Sequence, residues 1–275
     1  MIYLELSTQV NDNLYPDVVE AGGLSIALGQ ALADLGSPLG VTTSEFFITY
    51  ARVAGGSRFS QMYLAARERL FIFDFWSEGV LYGNGSCGSL SDAAQAIHCW
   101  IDEEPDIAEM LKRFSLFRPE EKAKAHEAGR AVEYQWESLL QLWAEHERGM
   151  SDASLSPRPL IEAARARPEL RPLFPFTSMF RLCFSRTTGY PFTHDCPFAE
   201  PIGEGRYRAY SAKHTVVERS HHGYQYREAV HEVIGEGSAD EVIEMLAVNL
   251  PPNCDATVDG TAKDLIEDGS RKSSS

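Results

Sequence analysis

The side chains with the greatest chemical capacity are concentrated in one short stretch of the second half of the chain. Tyr190, His194 and Asp195 can each give or take a proton, and they are the candidate catalytic residues. Arg181, Arg186 and Tyr190 are the candidate ligand-binding residues, because a guanidinium binds carboxylate and phosphate groups through paired hydrogen bonds. Nothing in the spacing fixes a nucleophile beside a base. The alternative is therefore an ordered loop whose aromatic and hydroxyl side chains pack over a sheet.

A metal site is the second kind of site that the residue types raise. Imidazole and thiolate are ligands that zinc prefers, and this region offers His194, Cys196, His221 and His222. Zinc motifs depend on closely paired ligands, and only one pair in this sequence, His194-x-Cys196, approaches such spacing. No recognised zinc-ligand pattern is therefore complete. We therefore predict no bound metal.

The dinucleotide-binding fingerprint has a match at Gly83-x-Gly85-x-x-Gly88. That fingerprint requires a buried parallel strand before the glycines and a crossover strand after the following helix. Here the preceding strands read as an antiparallel meander, and the acidic run at 102–104 is followed by Pro105 and more helix. We interpret the glycines as a turn that leads into a capped helix, and we predict no nucleotide and no other cofactor.

Charge is distributed unevenly along the chain. Its 275 residues include 25 Lys and Arg against 40 Asp and Glu, a formal net charge of −15, which argues against nucleic acid as the main partner. Residues 151–190 differ, because they contain six arginines, no lysine and three acidic residues. Arginine without lysine favours planar anionic partners. The alternative is that most of these arginines pair with acidic residues of the same chain.

Hydrophobic periodicity predicts the elements that must position these residues. In the first half we expect a helix near Val18–Leu35, antiparallel strands between residues 46 and 82, and a helix capped by Ser89. A long helix from Pro119 to about Arg148 and a linker at Gly149–Pro159 follow.

The second half is predicted to repeat the order of helix, three strands and helix. Its expected elements are a helix near Pro159–Arg167, strands at Ser178–Arg186, Arg206–Ser211 and Tyr224–Ile234, and a helix over Ala239–Leu250 with a capping box of Ser238 and Glu241. The repeat is explained either by internal duplication or by chance, since capped helices recur in many proteins.

The predicted fold class is α+β, with two helix–antiparallel sheet–helix lobes bridged by the long helix. The lobes are expected at residues 1–118 and 151–267, the bridging helix at 119–150 and a disordered tail at 268–275. No apolar run approaches the length of a membrane span, and the first residues lack the features of a secretory signal. Five widely spaced cysteines fit a reducing compartment, so we expect a soluble cytoplasmic protein.

Several motifs resemble a family of unknown function, numbered 6193, whose members are mostly actinobacterial and are labelled natural product biosynthesis proteins. The motifs are Phe174-Pro175-Phe176-Thr177-Ser178, Phe184-Ser185-Arg186, Gly189-Tyr190-Pro191-Phe192-Thr193, Pro197-Phe198, Phe73-Asp74-Phe75-Trp76-x-Glu78-Gly79, Ala96-Ile97-His98-x-Trp100, Glu133-x-x-Trp136 and Leu250-Pro251-Pro252. The resemblance runs from about Tyr15 to Leu265. It implies a pathway context and no particular reaction, cofactor or catalytic residue.

Two functions follow as expectations. The first is a protein of natural-product biosynthesis that binds a small anionic metabolite near Arg181, Arg186 and Tyr190, with its reaction unknown. The alternative is a non-catalytic adaptor that docks a basic protein partner through its acidic surface. The arrangement of Arg186, Tyr190 and Asp195 discriminates between a site and a structural loop, because a site requires them around one cleft.

Overall fold

The computed structural model describes residues 6, 9–44, 47–221, 224–252, 254 and 256–265. The chain divides into two compact units, Met1–Gly129 and Arg130–Ser275. Each combines helices with an antiparallel sheet, so the predicted α+β class is confirmed. Among the described residues, no helix has both the length and the apolar character needed to cross a membrane. The tail predicted at 268–275 lies outside these residues.

The first unit is built on a sheet that has six strands within the described residues, in the order β1-β2-β3-β4-β5-β6. Every neighbouring pair is antiparallel. Its elements are α1 (Pro16–Ala21), α2 (Leu24–Asp34), β1 (Val41–Ser44), β2 (Phe47–Gly55), β3 (Arg58–Leu64), β4 (Phe71–Ser77), β5 (Val80–Cys87), α3 (Leu90–His98), a π-helix (Cys99–Glu103), α4 (Ile107–Arg113), β6 (Arg118–Pro119) and α5 (Glu121–Glu127).

The core of this unit follows from the alternation of side chains along β4. Phe71, Phe73 and Phe75 are buried, whereas the residues between them are partly exposed. Successive side chains of a strand point to opposite faces, so the three phenylalanines lie on one face of the sheet. They belong to the same buried cluster as Leu28 of α2 and Ile97 of α3.

At two pairs of glycines in this unit, the secondary structure differs from the prediction. The single helix expected at Val18–Leu35 is divided into α1 and α2, because Gly22 and Gly23 adopt φ of 93° and 137° and so end the first helix. Gly83 and Gly85 lie within β5 and do not form the expected turn. β5 pairs antiparallel with both β4 and β6. It is therefore not the parallel strand that the dinucleotide fingerprint requires.

The glycines of β5 allow close packing. A Cβ atom added to Gly83 would lie 2.5 Å from the Phe117 ring and 2.7 Å from the backbone oxygen of Arg118. At Gly85 it would lie 2.7 Å from the Phe73 ring. The third glycine of the motif, Gly88, is different, since its nearest such neighbour is at an ordinary 3.5 Å.

The second unit has a sheet of five strands in its described part, in the order β11-β10-β9-β8-β7, and every neighbouring pair is again antiparallel. Its elements are α6 (Ala131–Glu147), a 3-10 turn (Ala153–Leu155), α7 (Arg158–Ala166), β7 (Phe174–Ser178), β8 (Arg181–Ser185), β9 (Phe198–Gly203), β10 (Arg206–His221), β11 (Tyr224–Gly237) and α8 (Ala239–Val248). The capping box predicted at Ser238 and Glu241 is confirmed.

Three elements near this unit differ from the sequence prediction. The long helix expected over Pro119–Arg148 is interrupted between α5 and α6, where Gly129 adopts φ of 65°. The strand expected at Ser178–Arg186 is the turn and second strand of the β7–β8 hairpin, with Met179 at φ of 57°. β10 and β11 form a ribbon that extends well beyond the predicted strands.

The two faces of the second sheet have different environments. Leu182 and Phe184 of β8 belong to the buried cluster that also contains Trp136 of α6, Ile161 of α7 and Ile243 of α8. Arg181 and Cys183 alternate with these residues and point to the opposite face. That opposite face, which we call the outer face, carries the candidate site.

Both units share one order of elements. Helices precede a meander of antiparallel strands in each, and a helix capped by a serine side chain follows: Ser89 accepts from the Asp92 amide and Ser238 from the Glu241 amide. Internal duplication stays a prediction.

The glycine motif generates a test of packing against nucleotide binding. We expect Gly83→Ala to lower the free energy of unfolding by about 1–3 kcal/mol, since its methyl group would overlap Phe117 and a backbone oxygen. Gly88→Ala is the matched control and should change stability little. Chemical denaturation of both variants measures the difference, and equal stability of the two would contradict the packing explanation.

Candidate functional site

A buried hydroxyl organises the segment that joins β8 to β9. The Ser185 Oγ accepts hydrogen bonds from the Thr187 amide at 3.0 Å and the Thr193 amide at 3.1 Å, and it donates to the Thr187 carbonyl at 2.8 Å. Ser185 and Thr187 are fully buried. The hydroxyl therefore draws the two ends of the loop together.

The predicted site residues Arg186 and Asp195 lie on this loop and pair with each other. The Arg186 Nε donates to Asp195 Oδ2 at 2.8 Å, and one terminal guanidinium nitrogen donates to the same oxygen. Burial alone would raise the pKa of Asp195, but hydrogen bonds from Arg186 and Thr193 outweigh it, and the pKa is lowered from its ordinary value. Arg186 therefore stabilises the loop.

The chain after α8 returns to the same loop. The Val258 amide donates to the Arg186 carbonyl at 3.0 Å, and the Thr188 amide donates to the Val258 carbonyl at 3.2 Å. One step further, the Gly189 amide donates to the Gly260 carbonyl at 2.8 Å. These backbone bonds attach the C-terminal segment to the loop.

Tyr190 stands apart from the other predicted residues. Its side chain is 68% exposed, and its peptide bond to Pro191 is cis. Its ring meets the Phe192 ring edge-on at 5.9 Å. Arg186 and Asp195 thus pair with each other, whereas the ring contact of Tyr190 is with Phe192.

Arg181 and His194 instead line a cavity of about 330 Å³ on the outer face. Two further histidines, His214 of β10 and His231 of β11, line it from the other side. The described wall is completed by Phe176, Ser178, Cys183, Cys196, Phe198 and Ala229, and by Phe184, whose side chain belongs to the buried cluster of the inner face. Sequence reasoning missed His214 and His231, although they are directly opposite each other across the ribbon.

The polar groups of this cavity are held in defined positions. The Arg181 guanidinium lies 5.5 Å from the Phe198 ring centroid, and its Nε donates to Glu200 Oε2 at 2.7 Å. The His231 ring meets Phe198 edge-on at 4.8 Å. Its Nδ1 lies 3.0 Å from the Ser211 carbonyl, an acceptor, so Nδ1 carries the proton and Nε2 is left to the other side of the ring.

Comparison with known proteins bears on this unit in particular. Residues 130–261 match the model of a family of unknown function, DUF6193. Because the matched range covers most of the second unit, we refer to this unit as the DUF6193 unit. The match includes the loop, the cavity and the motifs from Phe174 to Phe198 that carry the resemblance. The first unit lies outside the matched range, where the resemblance stays a prediction. No curated protein and no solved structure matches the chain.

The two thiols that line this cavity have raised pKa values. Burial raises the pKa of Cys183 to about 12, so the thiol is neutral near pH 7. The hydrogen bond with Cys254 and burial both raise the pKa of Cys196. The imidazoles and the guanidinium can therefore bind an anion or move a proton, whereas the thiols do not provide a thiolate for covalent catalysis at neutral pH.

Metal binding has no support within the part of the chain that the structure describes. There, no group of three or more His, Cys, Asp and Glu side chains is arranged to hold an ion. His222, which the sequence raised as a ligand, lies outside the described residues, and the side chain of His221 is likewise not described.

The arginine-rich segment mostly pairs with acidic residues of the same unit. Five of the six arginines in residues 151–190 form ion pairs: Arg158 with Glu147 and Glu162, Arg165 with Glu137, Arg167 with Glu169 and Glu244, Arg181 with Glu200, and Arg186 with Asp195. Within the described residues, Arg171 makes no such pair. It lines a separate groove of about 650 Å³ with Arg165, Glu133 and Trp136.

Removing the Ser185 hydroxyl tests the loop. We expect Ser185→Ala to lower the free energy of unfolding by about 2–4 kcal/mol, because two buried amides lose their acceptor. Ser211→Ala is the control, since that hydroxyl accepts one exposed bond from the Lys213 amide. Urea denaturation compares them, and a loss below about 1 kcal/mol in Ser185→Ala would show that the loop does not depend on the hydroxyl.

The ion pair predicts a pH dependence of stability. A carboxyl whose folded pKa is lowered contributes stability above its unfolded pKa and loses it as the pH falls through the folded value. Asp195→Asn should therefore cost about 1 kcal/mol at pH 7, and its difference from the wild type should disappear as the pH falls below the ordinary value of 3.8.

The companion variant Arg186→Lys keeps the charge and should lose part of the same stability, since lysine lacks the fork that reaches Asp195. Thermal melts between pH 3 and pH 7 are the measurement. A pH-independent loss in Asp195→Asn would contradict the assignment to the ion pair.

Proposed function

We propose that the DUF6193 unit binds a small anionic molecule with an aromatic or other apolar part, in the cavity on the outer face. The observation that carries this proposal is the grouping of Arg181, His194, His214 and His231 around one cavity. Its volume of about 330 Å³ lies at the lower end of the range of small-molecule sites. The resemblance supports a natural-product intermediate as the ligand.

The cavity offers a suitable group for the anionic part and for the apolar part of the proposed ligand. Arg181 offers its terminal nitrogens to a carboxylate or phosphate while its Nε stays on Glu200. The rings of Phe176 and Phe198 offer apolar area beside that group. The ring nitrogens of the three histidines that line the cavity add further hydrogen-bonding groups for the ligand.

This proposal keeps part of the sequence hypothesis and moves the rest. Arg181 remains a binding residue and His194 joins it. Arg186 is committed to Asp195, and Tyr190 lies outside the described wall of the cavity. Non-covalent binding is the favoured activity, because the two cavity thiols have raised pKa values. A role for a histidine in proton transfer to the bound molecule is compatible with the same geometry.

The test titrates benzoate and inorganic phosphate into the full chain. We expect benzoate to bind, and Arg181→Gln to weaken its binding by roughly ten- to a hundredfold through the loss of a charge-assisted hydrogen bond. Arg171→Gln is the matched control, because Arg171 belongs to the same segment but lines the other groove. Calorimetry gives affinities, and histidine ring signals in NMR spectra locate the ligand.

The outcomes separate the remaining functions. Weakening by Arg171→Gln alone would move the anion site to the groove between α6 and α7. The absence of anion binding, together with salt-sensitive binding of a lysine-rich peptide, would favour the adaptor function, which the net charge of −15 supports.

A further inference from the structure

Two of the five cysteines lie against each other. The sulfur atoms of Cys196 and Cys254 are 3.3 Å apart, although 58 residues separate them in sequence. Cys196 is 4% exposed and Cys254 is 6% exposed. A disulfide requires a sulfur separation of about 2.05 Å, so these atoms need to approach by only about 1.3 Å.

We propose that Cys196 and Cys254 are a modification site that takes up a disulfide by exchange with a small disulfide such as oxidised glutathione. This inference is independent of the proposed ligand. It rests on the separation of the two sulfurs and on the elements that carry them. Cys196 ends the loop that Ser185 organises, whereas Cys254 lies on the segment that follows α8.

Of the two thiols, Cys196 is the one that the reagent can reach. Cys196 belongs to the buried cluster of the unit, but it also lines the cavity on the outer face. Cys254 belongs to the same buried cluster. Cys183 lines the cavity as well, yet its sulfur has no thiol partner among the described residues. Reaction therefore begins at Cys196 and is completed by Cys254.

The exchange balances in two steps. The Cys196 thiolate attacks one sulfur of oxidised glutathione, forms a mixed disulfide and releases one glutathione thiolate. The Cys254 thiolate then attacks the Cys196 sulfur, forms the Cys196–Cys254 bond and releases the second glutathione thiolate. The protein loses two electrons and two protons, and the reagent becomes two thiols.

The environment determines the rate of this reaction. The partner thiol and burial raise the pKa of Cys196, so only a small fraction is thiolate at neutral pH. Exchange should be slow at pH 7 and should accelerate by roughly tenfold per pH unit, since the attacking species is the thiolate. Benzoate in the cavity should slow the first step if the ligand site is also correct.

The product would join two segments that backbone hydrogen bonds already connect. The Val258 amide contacts the Arg186 carbonyl, and the Thr257 hydroxyl contacts the Ser185 carbonyl at 3.2 Å. Closing a loop of this length constrains the unfolded chain, so the melting temperature should rise by roughly 10 °C.

The experiment incubates the full chain with oxidised and reduced glutathione at several ratios and at pH 7 and pH 8.5. Remaining thiols are alkylated under denaturing conditions, and the digest is mapped by mass spectrometry without reduction. We expect a peptide pair joined through Cys196 and Cys254, lost on reduction, together with the rise in melting temperature. The wild-type map needs no variant, so the test does not depend on a substitution that fails to fold.

Three variants assign the steps. Cys254→Ser should leave glutathione attached to Cys196, whereas Cys196→Ser should abolish the cross-link. Cys183→Ser is the matched control, since that thiol shares the cavity, and its cross-link yield should equal that of the wild type. Alkylation of both Cys196 and Cys254 at every ratio, or glutathione on Cys183 without the cross-link, would overturn the proposal. Either result leaves benzoate binding untouched and so stands apart from failure of the ligand site.

Discussion

The Ser185 hydroxyl is the interaction on which the loop of the DUF6193 unit depends. It is buried beside the end of β8, and it serves as both acceptor and donor to backbone groups of Thr187 and Thr193. Buried backbone groups need hydrogen-bonding partners, and the amides of Thr187 and Thr193 both obtain theirs from this one hydroxyl. The Arg186–Asp195 pair and the placement of Cys196 follow from the geometry that this hydroxyl imposes.

The two faces of the second sheet have different roles: the inner face packs in the core, and the outer face carries the polar groups of the candidate site. Its inner face packs Leu182 and Phe184 against helices, which fixes the strands. Its outer face carries groups that can change charge or bind one. Burial and the hydrogen bond to Glu200 raise the pKa of Tyr210, whose hydroxyl donates to that carboxylate at 2.5 Å. Arg181, Glu200 and Tyr210 therefore form one polar network beside the cavity.

Local patterns in the sequence predicted much of the fold. The α+β class, the antiparallel strands and the two serine caps depend on contacts within a few residues, and they are confirmed. The break at Gly22 and Gly23 could not be predicted from hydrophobic periodicity, because the apolar pattern continues through both glycines. Their positive φ values are a property of the folded chain.

The site was less predictable, because its residues meet through long-range pairing. Arg181 and His194 lie in the predicted stretch, but the contribution of His214 and His231 depends on the register of β10 and β11. The predicted strand ends at Ser211, since residues 212–218 of β10 are all partly or fully exposed and offer no buried face that alternation could reveal. Arg186 and Asp195 were identified as reactive groups, and their mutual pairing required the loop to fold back at Ser185.

The β10–β11 ribbon also affects how easily each side of the cavity could adjust to a bound molecule. β9 pairs with β10 only from Arg206 to Tyr210, so His214 lies where β10 has lost its second neighbour. A strand with one hydrogen-bonded neighbour twists more readily than one with two. Arg181 lies on β8, which has both β7 and β9 as neighbours, and Glu200 accepts a hydrogen bond from its guanidinium. For the proposed ligand, we therefore expect the guanidinium end of the cavity to select one group strictly and the imidazole end to tolerate variation.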